Sequence, residues 1–79
     1  MATTYHVDKT ADAKGQVCPM PIVTLAKAFK DLAPGQILAL MATDPGAKKD
    51  VAAWAEKTGN VLLEMVDEGS VMTFYLKKA

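Results

Sequence analysis

The sequence predicts an α/β protein, a two-layer sandwich in which a mixed four-stranded sheet carries two helices on one face, in the order β-α-β-α-β-β. Two segments repeat their apolar residues with the spacing of an amphipathic helix. The remaining apolar segments are short, as strands are, and turn residues separate them. Right-handed crossovers between parallel strands place both helices on the same face of the sheet.

The first half of the chain supplies a strand, a turn and a helix. Residues Tyr5 to Asp12 alternate weakly between apolar and polar side chains, which predicts a half-buried strand. Lys14-Gly15 is typical of a turn. A helix is predicted from Pro19 to about Leu32, and Ala33-Pro34-Gly35 ends it. The residues predicted to face inward on this helix are Ile22, Leu25, Ala26, Phe29 and Leu32.

The second half supplies a strand, a helix and a hairpin. The continuous apolar run Ile37 to Met41 is typical of a strand covered on both faces. A helix is predicted from Ala47 to Thr58, with Gly59 at the C′ position that ends it. Two further strands, Asn60 to Val66 and Val71 to Lys77, are close enough in sequence to form a hairpin. The predicted inward residues are Val51, Ala52, Trp54 and Ala55 on the helix, and Met72, Phe74 and Leu76 on the last strand.

Composition narrows the class of protein. The chain has 79 residues, of which 51% are hydrophobic, so we expect one folded domain over residues 1–79. Nine basic residues balance nine acidic ones, which disfavours a nucleic-acid or anionic-membrane partner. No apolar run approaches the ~20 residues of a membrane span, and the first residues do not resemble a signal peptide. A single cysteine fits a reducing cytoplasm, and one histidine with one cysteine cannot furnish a structural zinc site, so no metal site is expected.

The tetrapeptide Cys18-Pro19-Met20-Pro21 places the only cysteine of the chain at the start of the first predicted helix. With Cys18 as the N-cap, the prolines remove two of the free N–H groups at the helix start, and the Met20 N–H is the donor best placed to meet the sulfur. The positive end of the helix also favours a thiolate. The sequence therefore predicts a Cys18 pKa below its ordinary value and a nucleophilic role. The alternative is a small buried side chain, the usual environment of a free cysteine.

The absence of a second cysteine distinguishes between two kinds of thiol chemistry. A protein that carries sulfur as a persulfide must not have a neighbouring thiol, because that thiol would discharge the persulfide into an internal disulfide. In a thioredoxin-like Cys-x-x-Cys motif the second cysteine would stand at position 21, where this chain has proline. The pattern favours a carrier over a disulfide oxidoreductase.

The order of these motifs resembles the TusA/SirA-like sulfur carriers. The resemblance covers nearly the whole chain and rests on Asp12 to Gly15, Cys18 to Pro21, Pro34-Gly35, Asp44-Pro45 and the late segment Phe74 to Lys77. It implies a sulfurtransferase-type carrier: Cys18 accepts sulfane sulfur from a cysteine desulfurase or rhodanese and passes it to an acceptor protein, with no cofactor. Met20 departs from the charged residue of some tRNA-thiolation members, and only Lys27 and Lys30 are basic on the first helix. Transfer towards tRNA modification is therefore not implied.

Other candidate residues have two interpretations each. Asp44 caps the second helix or shapes the loop before it, with capping favoured. Lys48-Lys49 contacts a partner or forms an ordinary solvated helix face. His6 has no ligand or nucleophile near it in sequence, and Trp54 is most simply a core anchor. We expect a monomer that recognises proteins and does not bind tRNA directly, and the alternative to a carrier is a non-catalytic interaction or regulatory module.

Overall fold

A computed structural model describes residues 6–79. The element order β-α-β-α-β-β is confirmed. The predicted start of the first strand at Tyr5 lies outside the described residues, but the prediction is wrong for residues 6–8, because the strand begins only at Lys9, where its pairing with Leu38 begins. The elements are β1 (Lys9–Ala13), α1 (Met20–Phe29), β2 (Ile37–Ala42), α2 (Ala47–Thr58), β3 (Val61–Glu68) and β4 (Val71–Lys77). Neither helix is long and apolar enough to cross a membrane.

The sheet is mixed, as predicted, with the strand order β1-β2-β4-β3. The two strands that flank α1 pair in parallel, with Ala11 opposite Leu40. The last two strands form the hairpin, and β4 inserts antiparallel beside β2, with Phe74 opposite Leu40. Because β1 and β2 are parallel, both end at the same edge of the sheet.

Both helices cover one face of this sheet and contact each other. The Phe29 ring of α1 packs edge-to-face on Trp54 of α2, with ring centroids 5.0 Å apart and an interplanar angle of 83°. The core lies between this helix layer and the sheet. Its largest fully buried side chains are Phe74, Leu25, Leu38, Leu40, Leu76, Val51 and Pro21.

The first helix ends earlier than its apolar spacing predicts, at Phe29 and not near Leu32. The Lys78 ammonium donates to the Phe29 carbonyl at 3.1 Å and to the Leu32 carbonyl at 2.7 Å. The Phe29 carbonyl also accepts the Leu32 N–H at 3.1 Å, and the Lys78 cation adds a charged donor at this helix end and in the turn that follows it. Leu32 stays buried in the turn that follows, which explains why the apolar pattern continues beyond the helix.

The apolar face of β3 differs from strict alternation. The register with β4 pairs Leu62 with Leu76 and Glu64 with Tyr75, so Leu63 is the extra residue of a bulge. A bulge shifts the side chains beyond it to the other face. Leu62 and Met65, three positions apart, therefore both pack against the core.

Three further details of the prediction have clear outcomes. The αL conformation of Gly59, with φ +75°, ends α2 as predicted, and its N–H meets the carbonyls of Ala55 and Glu56. Ala52 is exposed, so its predicted inward position is wrong. The predicted cover on both faces of β2 is only partial: on the side away from the helices Ala39 is buried, whereas Ile37 and Met41 are only partly buried. An apolar run gives no sign of this, since a small sheet can leave apolar side chains half exposed.

Candidate functional site

The candidate site forms where the two parallel strands end. The chain leaves β1 into the loop that contains Cys18, and it leaves β2 into the loop that leads to α2. A hydrogen bond joins the two loops: the Gly15 N–H donates to the Thr43 hydroxyl oxygen at 2.9 Å. This bond sets the cysteine loop beside the first turn of α2.

The Asp-x-x-Gly segment before the cysteine is a tight turn. The Asp12 carboxylate accepts the Lys14 N–H at 2.9 Å, and the Gln16 N–H donates to the Ala13 carbonyl at 3.1 Å. Gly15 has φ +81°, in the left-handed region where side chains with a Cβ are disfavoured. The Gln16 side chain then accepts the Thr24 hydroxyl of α1 at 2.8 Å. These contacts hold the loop to the end of β1 and to α1.

Cys18 lies one residue further from the helix than predicted. Pro19 is the N-cap, Met20 is the first helical residue, and the Cys18–Pro19 peptide bond is cis. The Met20 N–H donates to the Val17 carbonyl at 2.9 Å. The predicted contact between this N–H and the sulfur is therefore wrong, because a backbone turn over residues 17–20 already uses the donor.

The motif residues have different environments. The Cys18 side chain is free and exposed, so the alternative of a buried cysteine is excluded. Pro21 is fully buried beneath the helix start, whereas Pro19 is exposed and 45% of Met20 is accessible to solvent. Pro21 thus anchors the motif in the core, and Cys18 and Met20 face the surface.

An apolar groove runs between α1 and α2 from the cysteine. It has a volume of about 330 Å³ and is open to solvent. The second helix contributes one face to it, since its four lining residues follow the i, i+3, i+4, i+7 spacing. The residues that line the groove are Cys18, Pro19 and Ile22, with Asp50, Ala53, Trp54 and Lys57 from α2.

The charges around Cys18 oppose the thiolate. The pKa of the Cys18 thiol is raised, first by its hydrogen bond to the Asp50 side chain and then by the negative charge of that carboxylate. Desolvation and the charge of Asp44 act in the same direction. The predicted lowering of this pKa is wrong, because the helix-end argument took no account of carboxylates on another element.

The remaining predicted residues lie on or near the first turn of α2. Gly46 is the N-cap of α2 and no side chain caps it, so the interpretation of Asp44 as a capping residue is wrong. Asp44 shapes the loop instead, and its backbone carbonyl accepts the Ala47 N–H at 3.0 Å. Lys48 and Lys49 are exposed beside this loop.

Two of the earlier structural interpretations can also be checked. His6 is exposed and lies 3.3 Å from the Asp8 carboxylate, away from the groove. Trp54 is half-buried: one part of the indole packs on Phe29 and another lines the groove. It is therefore both a core residue and a surface residue.

Sequence reasoning missed Asp50, Thr43 and the groove. Asp50 has an ordinary explanation in sequence, since an acidic residue in the first turn stabilises a helix. The signal that was available is the spacing of Asp50, Ala53, Trp54 and Lys57, which places them on one face of α2. Nothing in the sequence said that this face would meet the cysteine loop, since that depends on the parallel pairing of β1 and β2.

The fold and the site together define a small α/β protein that presents an exposed, free cysteine at the edge of a mixed sheet. The family model described as Sulfurtransferase TusA matches residues 9–78, and the chain belongs to this family. The identification made from the sequence motifs is thereby confirmed, as is the sulfur-carrier function at the level of the family.

Individual proteins support this assignment. The chain is 52% identical over 71 residues to YrkI of Bacillus subtilis (strain 168), provisionally named a sulfur carrier protein, across 90% of this chain and 95% of that one. It is 43% identical over 72 residues to the sulfur carrier protein TusA of Allochromatium vinosum, across 91% and 95% of the two chains. The crystal structure of a SirA-like protein from Desulfitobacterium hafniense superimposes with a TM-score of 0.77 at 25% identity, across 87% of this chain and 95% of that one. The predicted fold class is confirmed.

Proposed function

We propose that this protein carries sulfane sulfur as a persulfide on Cys18. The observation that supports this most directly is the environment of Cys18: it is free and exposed, and it opens onto an apolar groove. The chain has no second cysteine that could resolve a persulfide. The relatives named sulfur carriers match nearly the whole chain, so their function is the natural one to propose here.

The chemistry follows thiol–disulfide exchange. The Cys18 thiol loses its proton to solvent, and the thiolate attacks the outer sulfur of a donor persulfide, R–S–SH. A sulfur–sulfur bond forms to Cys18, the bond to the donor sulfur breaks, and the donor leaves as the thiolate R–S⁻. In the second transfer an acceptor thiolate attacks the outer sulfur in turn, and Cys18 is regenerated. This makes the protein a sulfurtransferase in the sense of a carrier that takes part in each step and is recovered.

Both transfer partners are proposed to be proteins. A cysteine desulfurase or a rhodanese is the proposed donor class, and contact with it would involve the rim formed by Cys18, Asp44, Lys48 and Lys49. Direct binding to nucleic acid is not part of the proposal, because such affinity requires clustered cations. Monomeric state, a single domain over residues 1–79 and a cytoplasmic location stay predictions.

Intact mass spectrometry tests this proposal. The protein is incubated with inorganic polysulfide, separated from small molecules and weighed, with Cys18→Ser as the matched control. Wild type should gain one sulfur atom, which dithiothreitol removes, and Cys18→Ser should gain none. A wild type that gains no sulfur would leave the interaction module as the better description. Equal gain by both proteins would place the sulfur somewhere other than Cys18.

A further inference from the structure

Asp50 is placed to control the sulfur of Cys18. It lies in the first turn of α2, is partly buried, and lines the same groove as the cysteine. Hydrogen bonding to this carboxylate is the first cause of the raised pKa of the Cys18 thiol. An ionised carboxylate can only accept, so the thiol must be the donor and must keep its proton for the bond to exist.

Among the described residues, no ion pair neutralises this carboxylate. Within residues 6–79 the ion pairs join His6 to Asp8, Lys9 to Asp31 and Lys14 to Asp12, and none includes Asp50. Lys57 also lines the groove, but it lies seven residues further along α2, about 10 Å by helix rise. Asp44, in the loop before α2, adds a second negative charge to the surroundings of the thiol. On the cysteine's own loop, Lys14 is taken up by Asp12.

We propose that Asp50 holds the Cys18 sulfur in its protonated, resting form in the free protein, and that a cation on the sulfur-donor protein releases it by pairing with this carboxylate. The inference deepens the proposed function and rests on it for the identity of the donor. Asp50 is a positioning residue in this scheme: it acts on the nucleophile and not on the transferred sulfur.

The sign of the effect separates this role from general-base catalysis. A carboxylate acting as a base would accelerate attack by Cys18, and its removal would slow the reaction. A carboxylate that acts by its charge disfavours the thiolate, and its removal accelerates reaction at neutral pH because more of the sulfur is ionised. The charge effect is the stronger expectation, since Asp44 adds to it and none of the ion pairs within residues 6–79 includes Asp50.

The groove indicates the chemistry of the partner. Its apolar lining, with Ile22 and Trp54, suits an apolar side chain, and the acidic end beside Cys18 suits a lysine or arginine. A donor that presents such a cation close to its own persulfide would neutralise Asp50 as the two sulfurs meet. Resting protein would meanwhile react slowly with adventitious electrophiles, which is useful for an exposed cysteine.

The first experiment measures alkylation of Cys18 by iodoacetamide, a neutral reagent, as a function of pH. A raised pKa means that less thiolate exists at a given pH, so removing its cause must move the rate profile towards lower pH. Asp50→Asn should therefore react about two- to fivefold faster than wild type at pH 7, as expected for loss of one partly solvated charge. Asp50→Glu keeps the charge and should stay close to wild type. Slower alkylation of Asp50→Asn would indicate a base and overturn the proposal, and an unchanged profile would show that Asp50 has no influence.

A second pair of variants imitates the cation of the partner without touching Asp50. Ala53 lies one turn after Asp50, lines the groove and is exposed, so a lysine there can pair with the carboxylate. Ala53→Lys should accelerate alkylation at pH 7 in wild type and have a clearly smaller effect in the Asp50→Asn background. Ala52→Lys is the matched control, because it adds the same charge at an exposed position that faces away from Asp50. Equal acceleration by both lysines would show that alkylation depends only on net charge, and it would contradict a specific pairing with Asp50.

Failure of this inference can be told apart from failure of the carrier function. Polysulfide loading, read by mass, reports whether Cys18 accepts sulfur at all. The alkylation profile reports how Asp50 affects the thiol and needs no sulfur donor. Sulfur gain with unchanged alkylation profiles would keep the carrier and reject the role of Asp50. Shifted profiles without sulfur gain would reject the carrier, and the role of Asp50 would then be confined to thiol reactivity.

Discussion

The Gly15 N–H and the Thr43 hydroxyl are 2.9 Å apart and join two loops that are 28 residues apart in sequence. One loop contains Cys18, and the other leads to the helix that contributes Asp50. Gly15 supplies the left-handed backbone that turns its N–H towards Thr43, with φ +81°. This contact links the local conformation of the cysteine loop to the electrostatics of the cysteine.

Removing the Thr43 hydroxyl should loosen this connection. Thr43→Val keeps the shape of the side chain and leaves the Gly15 N–H without its acceptor, which should lower the free energy of unfolding by about 0.5–1.5 kcal/mol. The loops should also separate more readily, so the alkylation profile of Cys18 should move towards lower pH as the influence of Asp50 weakens. Urea denaturation and iodoacetamide kinetics measure the two effects.

Thr43→Ser is the matched control, because it keeps the hydroxyl and loses only a methyl group. It should retain the wild-type alkylation profile. If serine and valine change that profile equally, the hydrogen bond is not what holds the loops together.

Lys78 should contribute more to stability than the neighbouring Lys77. Its ammonium donates to the Phe29 carbonyl at the end of α1 and to the Leu32 carbonyl in the turn that follows, whereas Lys77 is exposed at the end of β4. Lys78→Met keeps much of the aliphatic chain but removes the donors, and it should cost about 1–3 kcal/mol. Lys77→Met should stay within about 0.5 kcal/mol of wild type. Equal costs in urea denaturation would show that the cap does not contribute.

Function and stability should respond oppositely to changes at Cys18 and Trp54. Cys18→Ser should abolish sulfur loading and leave the free energy of unfolding within about 0.5 kcal/mol of wild type, because the side chain is exposed. Trp54→Ala removes the ring that packs on Phe29 and should cost about 2–4 kcal/mol, less than a fully buried tryptophan. Trp54→Ala should still accept sulfur from polysulfide under conditions well below its denaturation midpoint. A large stability loss in Cys18→Ser would contradict the exposed position of the cysteine.

The elements were predictable because most of their signals are local. Apolar spacing located both helices, and Gly59 marked the end of α2 to the residue. Two of the errors came from contacts between segments distant in sequence. Lys78 satisfies the end of α1 from the last residues of the chain, and the bulge at Leu63 is set by pairing with β4.

In the candidate site, too, local features were predictable from the sequence and features set by distant segments were not. The exposure of Cys18 and the loss of donors at a Pro-x-Pro helix start could be inferred from residues 18–21 alone. The pKa direction could not, because it depends on Asp50 and Asp44, which the fold brings from beyond β2. The Met20 donor was also misassigned, since a local turn to Val17 competes with the sulfur for that N–H. The pKa direction of a loop side chain can therefore be predicted only when the residues that pack against the loop are known.

Lys48 and Lys49 should govern the rate of association with a sulfur-donor protein. Both are exposed on the first turn of α2, at the same edge of the sheet as Cys18. They can attract an acidic surface of the donor protein that surrounds the donor's own cation, the one proposed to pair with Asp50. The double variant Lys48→Glu/Lys49→Glu should slow sulfur transfer from a persulfide-loaded cysteine desulfurase or rhodanese that loads wild type, and the deficit should shrink as salt rises. Lys30→Glu/Lys77→Glu is the matched control, because it changes net charge equally at exposed residues near the opposite edge of the sheet. The measurement is the sulfur-transfer rate at two ionic strengths. Equal slowing by both pairs of substitutions would show that the effect depends only on net charge. No slowing by either pair would show that Lys48 and Lys49 form an ordinary solvated helix face.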